Sequence, residues 1–204
     1  MNNLSLTLEQ KKHYLNSQIE SAWSGHLEFA DWLVRYKNPS VIVELGVDYG
    51  FSLCSFALSN IGDVYGVDWF KGDMHTGYRY TRPIVERHIN YLEFKNIHLI
   101  ESTFDEAVNN WYLPIDILHI DGLHTYEAVR NDFEKWSKFV KAGGVILMHD
   151  TCIDWFGVKD FFHEIGLSKL NFINSCGLGV VSTDVVLLND IKKNFDELLD
   201  KRYK

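Results

Sequence analysis

Val41-Ile42-Val43-Glu44-Leu45-Gly46-Val47-Asp48-Tyr49-Gly50 decides the fold. Its first five residues are almost all apolar, the pattern of a short strand buried on both faces of a parallel sheet. Two glycines then break the run in the form E-x-G-x-x-x-G, and Phe51 to Leu58 continues as a helix. Glycine at a strand-to-helix turn permits unusual backbone angles and close approach of a ligand. The spacing is not the G-x-G-x-x-G of a nicotinamide fingerprint, and an acid precedes the first glycine. A carboxylate in that place repels a pyrophosphate and suits a ligand that carries a cationic amino-acid group.

The strand–helix alternation continues outward from this stretch. Upstream, Leu15, Ile19, Trp23, Leu27 and Ala30 recur at helical spacing, with a second stripe of Phe29, Leu33 and Tyr36. Asn38-Pro39-Ser40 stops that helix, since proline disfavours helical geometry in the residue before it. Downstream, strands are expected at 63–67 (ending at Asp68), 97–100, 115–120 (ending at Asp121) and 145–148 (ending at His149-Asp150). Helices are expected at 83–91, 104–111 and 126–139, the last stopped by Ala142-Gly143-Gly144. A helix at 158–165 and strands at 170–173 and 179–182 follow, and 185–188 either extends the sheet or starts a tail helix. This order predicts an α/β fold: a Rossmann-like, doubly wound, mostly parallel seven-stranded sheet with helices on both faces. The expected organisation is a helical segment at 1–40, a core domain at 41–188 and a charged tail helix at 189–204.

A chain of 204 residues with 46% hydrophobic and 24% charged residues suits one globular domain that needs no disulfides. The net charge of −8 excludes a general nucleic-acid binder, which needs a cationic surface, and disfavours an anionic membrane surface. No apolar run is long enough to cross a bilayer, and the first twenty residues lack a secretory h-region. Cys54, Cys152 and Cys176 are odd in number and lack C-x-x-C spacing, which fits a reducing compartment. A cytoplasmic protein is expected, with homo-oligomerisation left open.

Polar residues stand just after the strands: Glu44, Asp68, Ser102, Asp121 and Asp150. Open α/β sheets bind ligands beyond the carboxyl ends of their strands, so five such residues predict one cleft. Asp68 is placed to accept hydrogen bonds from both hydroxyls of a ribose. Trp69 either stacks on an adenine or fills the core, and Ser102 either reaches the adenine edge or caps the next helix. Glu44 is expected near a cationic amino-acid end, and S-adenosylmethionine carries both an ammonium and a sulfonium. The expected cofactor set is Glu44, Gly46, Gly50, Asp68, Trp69, Ser102 and Asp121.

Four stretches carry a family resemblance. They are Glu44 to Gly50; Gly66-Val67-Asp68-Trp69-Phe70-Lys71-Gly72-Asp73-Met74-His75-Thr76-Gly77-Tyr78; Ile120-Asp121-Gly122-Leu123-His124-Thr125-Tyr126-Glu127-Ala128-Val129 with Asp132 and Trp136; and Ala142-Gly143-Gly144 through His149-Asp150-Thr151. The sequence resembles the class I methyltransferases, and more closely the methyltransferase-24 domain branch, which is similar to macrocin O-methyltransferases and cephalosporin-hydroxylase-like proteins. Relatives often place a threonine before the tryptophan, whereas here Asp68 runs directly into Trp69.

The resemblance implies an S-adenosylmethionine-dependent O-methyltransferase acting on a hydroxyl of a sugar or glycosylated small molecule. It also implies a divalent ion, magnesium by ligand type, held by Asp121 and Asp150 with His149 as a further ligand, although imidazole suits Mn²⁺ or a zinc-like ion better. His149 is otherwise a packed histidine donating to a backbone carbonyl. His124 is expected as the base that takes the acceptor proton, with His75 in the long loop 71–80 as its rival. Asp132 and Trp136 are expected to be structural. Two other readings stand beside this one: a nicotinamide-dependent oxidoreductase on the same fold, and a non-catalytic accessory domain of a glycan-processing system.

Overall fold

The computed structural model describes residues 5–203. Seven strands form one sheet: β1 (Val41–Leu45), β2 (Asp63–Asp68), β3 (Ile97–Glu101), β4 (Ile115–Ile120), β5 (Val140–His149), β6 (Lys169–Phe172) and β7 (Leu178–Ser182). Their spatial order is β3-β2-β1-β4-β5-β7-β6, parallel except for β7, which runs antiparallel to both β5 and β6. The order reverses between β1 and β4, the position at which an open α/β sheet leaves a crevice for a ligand.

Among the described residues eight α-helices cover the sheet: α1 (Leu8–Gln18), α2 (Leu27–Lys37), α3 (Phe51–Ala57), α4 (Arg82–Tyr91), α5 (Phe104–Asn109), α6 (Tyr126–Trp136), α7 (Gly157–Glu164) and α8 (Val185–Phe195). Alternation along the strands sorts the core in two. Ile42, Val64, Ile117 and Leu147 pack under α1, α2, α3, α4 and α8, whereas Val43, Leu45, Leu118 and Met148 pack under α5, α6 and α7. Local signals start and stop the helices as expected from capping chemistry. Asn38 takes the left-handed conformation (φ 46°) that ends α2 before Pro39, and Thr125 Oγ1 accepts from Ala128 N at 3.2 Å to open α6.

Three expectations are sharpened or corrected. The stripe through Leu15 and Ala30 is two helices, separated at 19–26 by irregular backbone and a single 3-10 turn at Ser24–His26. β5 begins at Val140 rather than Val145: the Ala142-Gly143-Gly144 run lies inside an irregular strand start, where Val140 pairs with Ile115 across a register shift. Of the two readings of 185–188, the start of the tail helix holds: these residues open α8, capped by Asp184. Residues 1–4 of the N-terminal segment and residue 204 of the tail lie outside the described residues.

Candidate active site

β1 to β5 end together at one edge, and the hydrogen-bond ladder continues one residue past several strand ends. Gly46 N donates to Val67 O (3.0 Å), Asp121 N to Leu45 O (2.8 Å) and Ser102 N to Asp68 O (3.0 Å). The residues that follow the strands therefore emerge at one level and line one cavity of about 680 Å³. Gly46 is the residue that lets two strand ends close up: its φ is +92°, and a Cβ there would lie 2.0 Å from Asp121 O.

Of the expected cofactor set, Gly46, Asp68, Trp69, Ser102 and Asp121 line the cavity. Trp69 is 39% exposed, so it is a cavity wall and not a core residue. Ser102 is not the helix cap; Thr103 Oγ1 does that by accepting from Glu106 N at 3.2 Å. Gly50 shapes the turn (φ +85°) as N-cap of α3 but does not line the cavity. Asp68 is engaged by backbone: Oδ2 accepts from Val47 N (2.7 Å) and Asp48 N (3.1 Å), and Oδ1 from Phe70 N (2.7 Å). A carboxylate offers about four acceptor positions, so roughly one is left for a ligand.

Glu44 is placed differently from expectation. It is fully buried and absent from the cavity wall, and its Oε1 accepts from His119 Nδ1 at 2.8 Å. Its partner oxygen Oε2 has no hydrogen-bond partner, and burial raises its pKa.

The far end of the cavity holds the titratable group. Asp121 follows β4, His124 precedes α6, His149 ends β5, and Asp150 follows in the left-handed region (φ 62°). His124 Nε2 lies 3.0 Å from Asp150 Oδ2 and 3.7 Å from Asp121 Oδ1. His149 Nδ1 lies 3.4 Å from Asp121 Oδ1 and 3.4 Å from Asp150 Oδ2, while its Nε2–H donates to Ser175 O at 2.9 Å. The backbone-carbonyl bond expected for a packed His149 is therefore present, and it leaves Nδ1 aimed at the acids. Burial opposes charge on His124, but the adjacent carboxylates of Asp121 and Asp150 outweigh it and lift its pKa to about 9. The same two carboxylates raise His149 against its burial, and the imidazoles hold both Asp121 and Asp150 low.

One ligand atom each from Asp121, His124 and Asp150 lies within 4.8 Å of the others. That set is compact enough for a single cation, and it brings in His124 where the sequence pointed to His149. His75 does not line the cavity; its ring stacks parallel to His124 (centroids 5.4 Å, 3°) and also on Phe156 (5.2 Å, 26°). Asp132 and Trp136 are buried on α6 and do not line this cavity, although Asp132 borders a small adjoining void with Asp121, His124 and His149.

Sequence reasoning missed several wall residues. Ser52 follows the second glycine by two residues, a spacing that marks the first turn of the helix under the cavity. Glu20, Ser21, Ala22 and Trp23 form another part of the wall, and no local pattern in the sequence shows it. The wall carries six carboxylates, those of Glu20, Asp48, Asp68, Asp73, Asp121 and Asp150, and among the described residues no lysine or arginine lines it.

Residues 43–151 match the methyltransferase-24 family, described as a methyltransferase domain. An uncharacterized protein y4gI of Sinorhizobium fredii is 37% identical over 175 residues, 79% of this chain and 19% of its own length. The chain thus spans about a fifth of that relative. Among solved structures, an O-methyltransferase from Bacillus cereus in complex with SAH superposes with a TM-score of 0.61 at 16% identity, covering 86% of this chain and 89% of its own. The O-methyltransferase TomG of Streptomyces achromogenes, involved in tomaymycin synthesis and solved with SAM, gives 0.63 at 13% identity, covering 86% and 87%. The structural matches establish the fold, the class I methyltransferase sheet. With more than half its length in the matched region, the chain belongs to the methyltransferase-24 domain family.

Proposed function

We propose that the chain transfers the methyl group of S-adenosylmethionine to a hydroxyl of an uncharged small molecule, a sugar or glycosylated metabolite in first place. The observation that carries this reading is the cavity itself: a nucleoside-sized cleft at the strand switch point, walled by six carboxylates, that runs directly into the Asp121–His124–His149–Asp150 group. S-adenosylmethionine brings an activated methyl carbon on a cationic sulfur, and an acidic wall favours such a ligand. Trp69 offers a face to the adenine, and the remaining acceptor position of Asp68 serves one ribose hydroxyl. An acceptor bearing phosphate or another anion would meet the same carboxylates, with Arg79 already engaged by Asp48 and the two imidazoles by Asp121 and Asp150.

The donor set suits a divalent cation: Asp121 and Asp150 supply oxygens, and His124 or the Nδ1 of His149 supplies nitrogen. A cation there lowers the pKa of an acceptor hydroxyl and holds its oxygen in place. The carbonyl of Ser175 fixes the Nε2–H tautomer of His149, the arrangement by which a ligating imidazole is oriented. Where His149 supplies the nitrogen ligand, His124 Nε2 faces the cavity and can take the acceptor proton in its neutral form. In the cation-free protein the adjacent carboxylates withhold that form until pH about 9. The imidazoles favour Mn²⁺ or another borderline ion over magnesium. The three cysteines are free thiols, in line with a cytoplasmic setting. Among the described residues no helix is long and apolar enough to cross a membrane.

A nicotinamide dinucleotide is not favoured, since its pyrophosphate would lie against Asp48 and Asp68, and the Arg79 guanidinium beside them is already engaged by Asp48. An accessory role does not explain why two carboxylates and two imidazoles are buried together, an arrangement that costs stability unless they are used. Calorimetric titration with S-adenosylhomocysteine and with NADH tests the reading. Saturable binding of the first and none of the second is expected; the reverse outcome overturns it.

A further inference from the structure

We infer that Trp23 is a positioning residue of the donor site, and that Glu44 acts through it: the buried acid of the glycine turn holds the N-terminal cavity wall in place and does not touch the donor. This rests on the S-adenosylmethionine reading for its functional consequence, but its structural basis is independent of any ligand. Glu44 and His119 are paired across β1 and β4, and both side chains point to the face that carries α2 and α3. Trp23 Nε1 lies 3.1 Å from His119 Nε2, and His119 Nδ1 lies 2.8 Å from Glu44 Oε1. An indole nitrogen only donates, so Nε2 of His119 must be the bare acceptor and Nδ1 must carry the hydrogen. The tautomer is thereby fixed, and the three groups form one directed chain, Trp23 to His119 to Glu44. All three side chains are essentially inaccessible to solvent, where a hydrogen bond is costly to leave unmade.

The chain ends on irregular backbone. Residues 19–23 belong to no helix or strand, yet Glu20, Ser21, Ala22 and Trp23 form part of the cavity wall. A segment without ladder bonds takes its position from its side chains, and the anchoring side chain here is Trp23. A second clasp follows: Gly25 N donates to Ser175 Oγ (3.0 Å), Asn174 Nδ2 to Gly25 O (3.1 Å) and His26 Nε2 to Ser175 O (3.3 Å). Ser175 O is also the acceptor for His149. The turn at 20–26 is thus tied to β1 and β4, through Glu44 and His119, on one side and to the titratable group on the other.

Two conservative variants separate this from its rivals. Trp23→Phe keeps a buried ring and removes only the donor. Glu44→Gln keeps an acceptor for His119 but removes the charge that would grip a cationic amino-acid end. In the ligand-free protein, amide hydrogen exchange over 20–26 is expected to quicken in Trp23→Phe and to stay at the wild-type rate in Glu44→Gln. Binding of S-adenosylhomocysteine should weaken roughly tenfold in Trp23→Phe, the scale of one lost buried hydrogen bond, and less than about threefold in Glu44→Gln. At saturating donor, kcat of Trp23→Phe should remain within about twofold of wild type while KM for the donor rises. Wild-type exchange and affinity in Trp23→Phe overturn the inference. A large affinity loss in Glu44→Gln with no change in exchange also overturns it, by placing the acid on the donor. If the wild-type protein binds no S-adenosylhomocysteine, the cofactor reading fails, and the exchange experiment still decides whether Glu44, His119 and Trp23 hold the wall.

Discussion

At the scale of the residue, Asp68 and Asp132 show how differently two buried acids behave. Asp68 receives three backbone N–H groups, from the loop after β1 and from its own loop, so it fastens two turns together before any ligand arrives. Asp68→Asn must turn an amide N–H₂ toward at least one of those donors. Its expected effect is therefore double: a loss of about 1–3 kcal/mol in stability and a parallel loss in S-adenosylhomocysteine affinity. Denaturant titration and calorimetry on the same variant check it, and an affinity loss with unchanged stability would show that the carboxylate serves the ligand alone.

Asp132 is 5% exposed, and burial, opposed only in part by Asn131, pushes its pKa up to about 7. The folded value lies above the unfolded one, so the native state holds the extra proton. Its contribution to stability is complete below the unfolded pKa and disappears as pH rises through about 7. Asp132→Asn should match the wild type near pH ~4 and exceed it by on the order of 2–4 kcal/mol near pH ~8. The difference between the two denaturation curves at each pH is the test; a constant difference would mean that Asp132 titrates normally.

At the scale of the element, the loop at 69–81 is a tied strap. Gly77 N donates to Asp73 O (2.8 Å), Arg79 N to Lys71 O (3.0 Å) and Thr81 N to Phe70 O (3.0 Å). Arg79 Nη2 then meets Asp48 Oδ1 at 2.5 Å, and its guanidinium lies over Tyr49 at 4.8 Å, so the strap is latched to the loop after β1. The strap is also held by Phe70 in the core, by Tyr80 OH donating to Glu101 Oε2 at 3.2 Å, and by the stack of His75 on His124 and Phe156. Arg79→Ala should speed hydrogen exchange in 71–80 without ligand and raise the S-adenosylhomocysteine dissociation rate by roughly tenfold, with the association rate little changed. Equal exchange in variant and wild type would remove the latch from the account.

Elements also mark how far the sequence could be read. Val41 to Leu45, Ile115 to Ile120 and their neighbours are legible because strands buried on both faces become apolar runs, and the polar residue that ends each run marks the cavity edge. Glu44 is the exception that local reading could not resolve. Its side chain points into the helix-covered face, and its partner is His119, 75 positions away. The wall at 20–23 is illegible for the same reason, since its anchor is a hydrogen bond spanning 96 positions. β5 was hidden by Gly143-Gly144, whose turn chemistry outweighs strand propensity until β4 supplies a partner at Ile115.

At the scale of the whole molecule, the sheet divides labour between two sets of strand ends. β1, β2 and β3 present the half that suits a nucleoside, and β4 and β5 present Asp121, His149 and Asp150. The two halves join along the β1–β4 pairing, and at its cavity end the missing side chain of Gly46 allows the carbonyl of Asp121 to approach. Removal of a divalent ion should therefore abolish methyl transfer while leaving S-adenosylhomocysteine affinity within about twofold, because Asp68 and Trp69 lie outside the ligand set. Asp150→Asn should behave as chelation does: the amide keeps the shape and loses a charge that balances the cation. In the cation-free protein His124 holds its proton up to about pH 9, so His124→Ala should cost about 10²–10⁴ in rate near that pH. The loss should be less both below it, where the imidazole is protonated, and well above it, where solvent takes the acceptor proton. Full turnover in protein shown by metal analysis to be free of divalent ions would eliminate the cation and leave His124 as the sole base. In that event Asp121 and Asp150 keep a different duty, one that their contacts already support: two carboxylates at 3.0 and 3.7 Å orient the imidazole of His124 and stabilise its charge as it takes the proton.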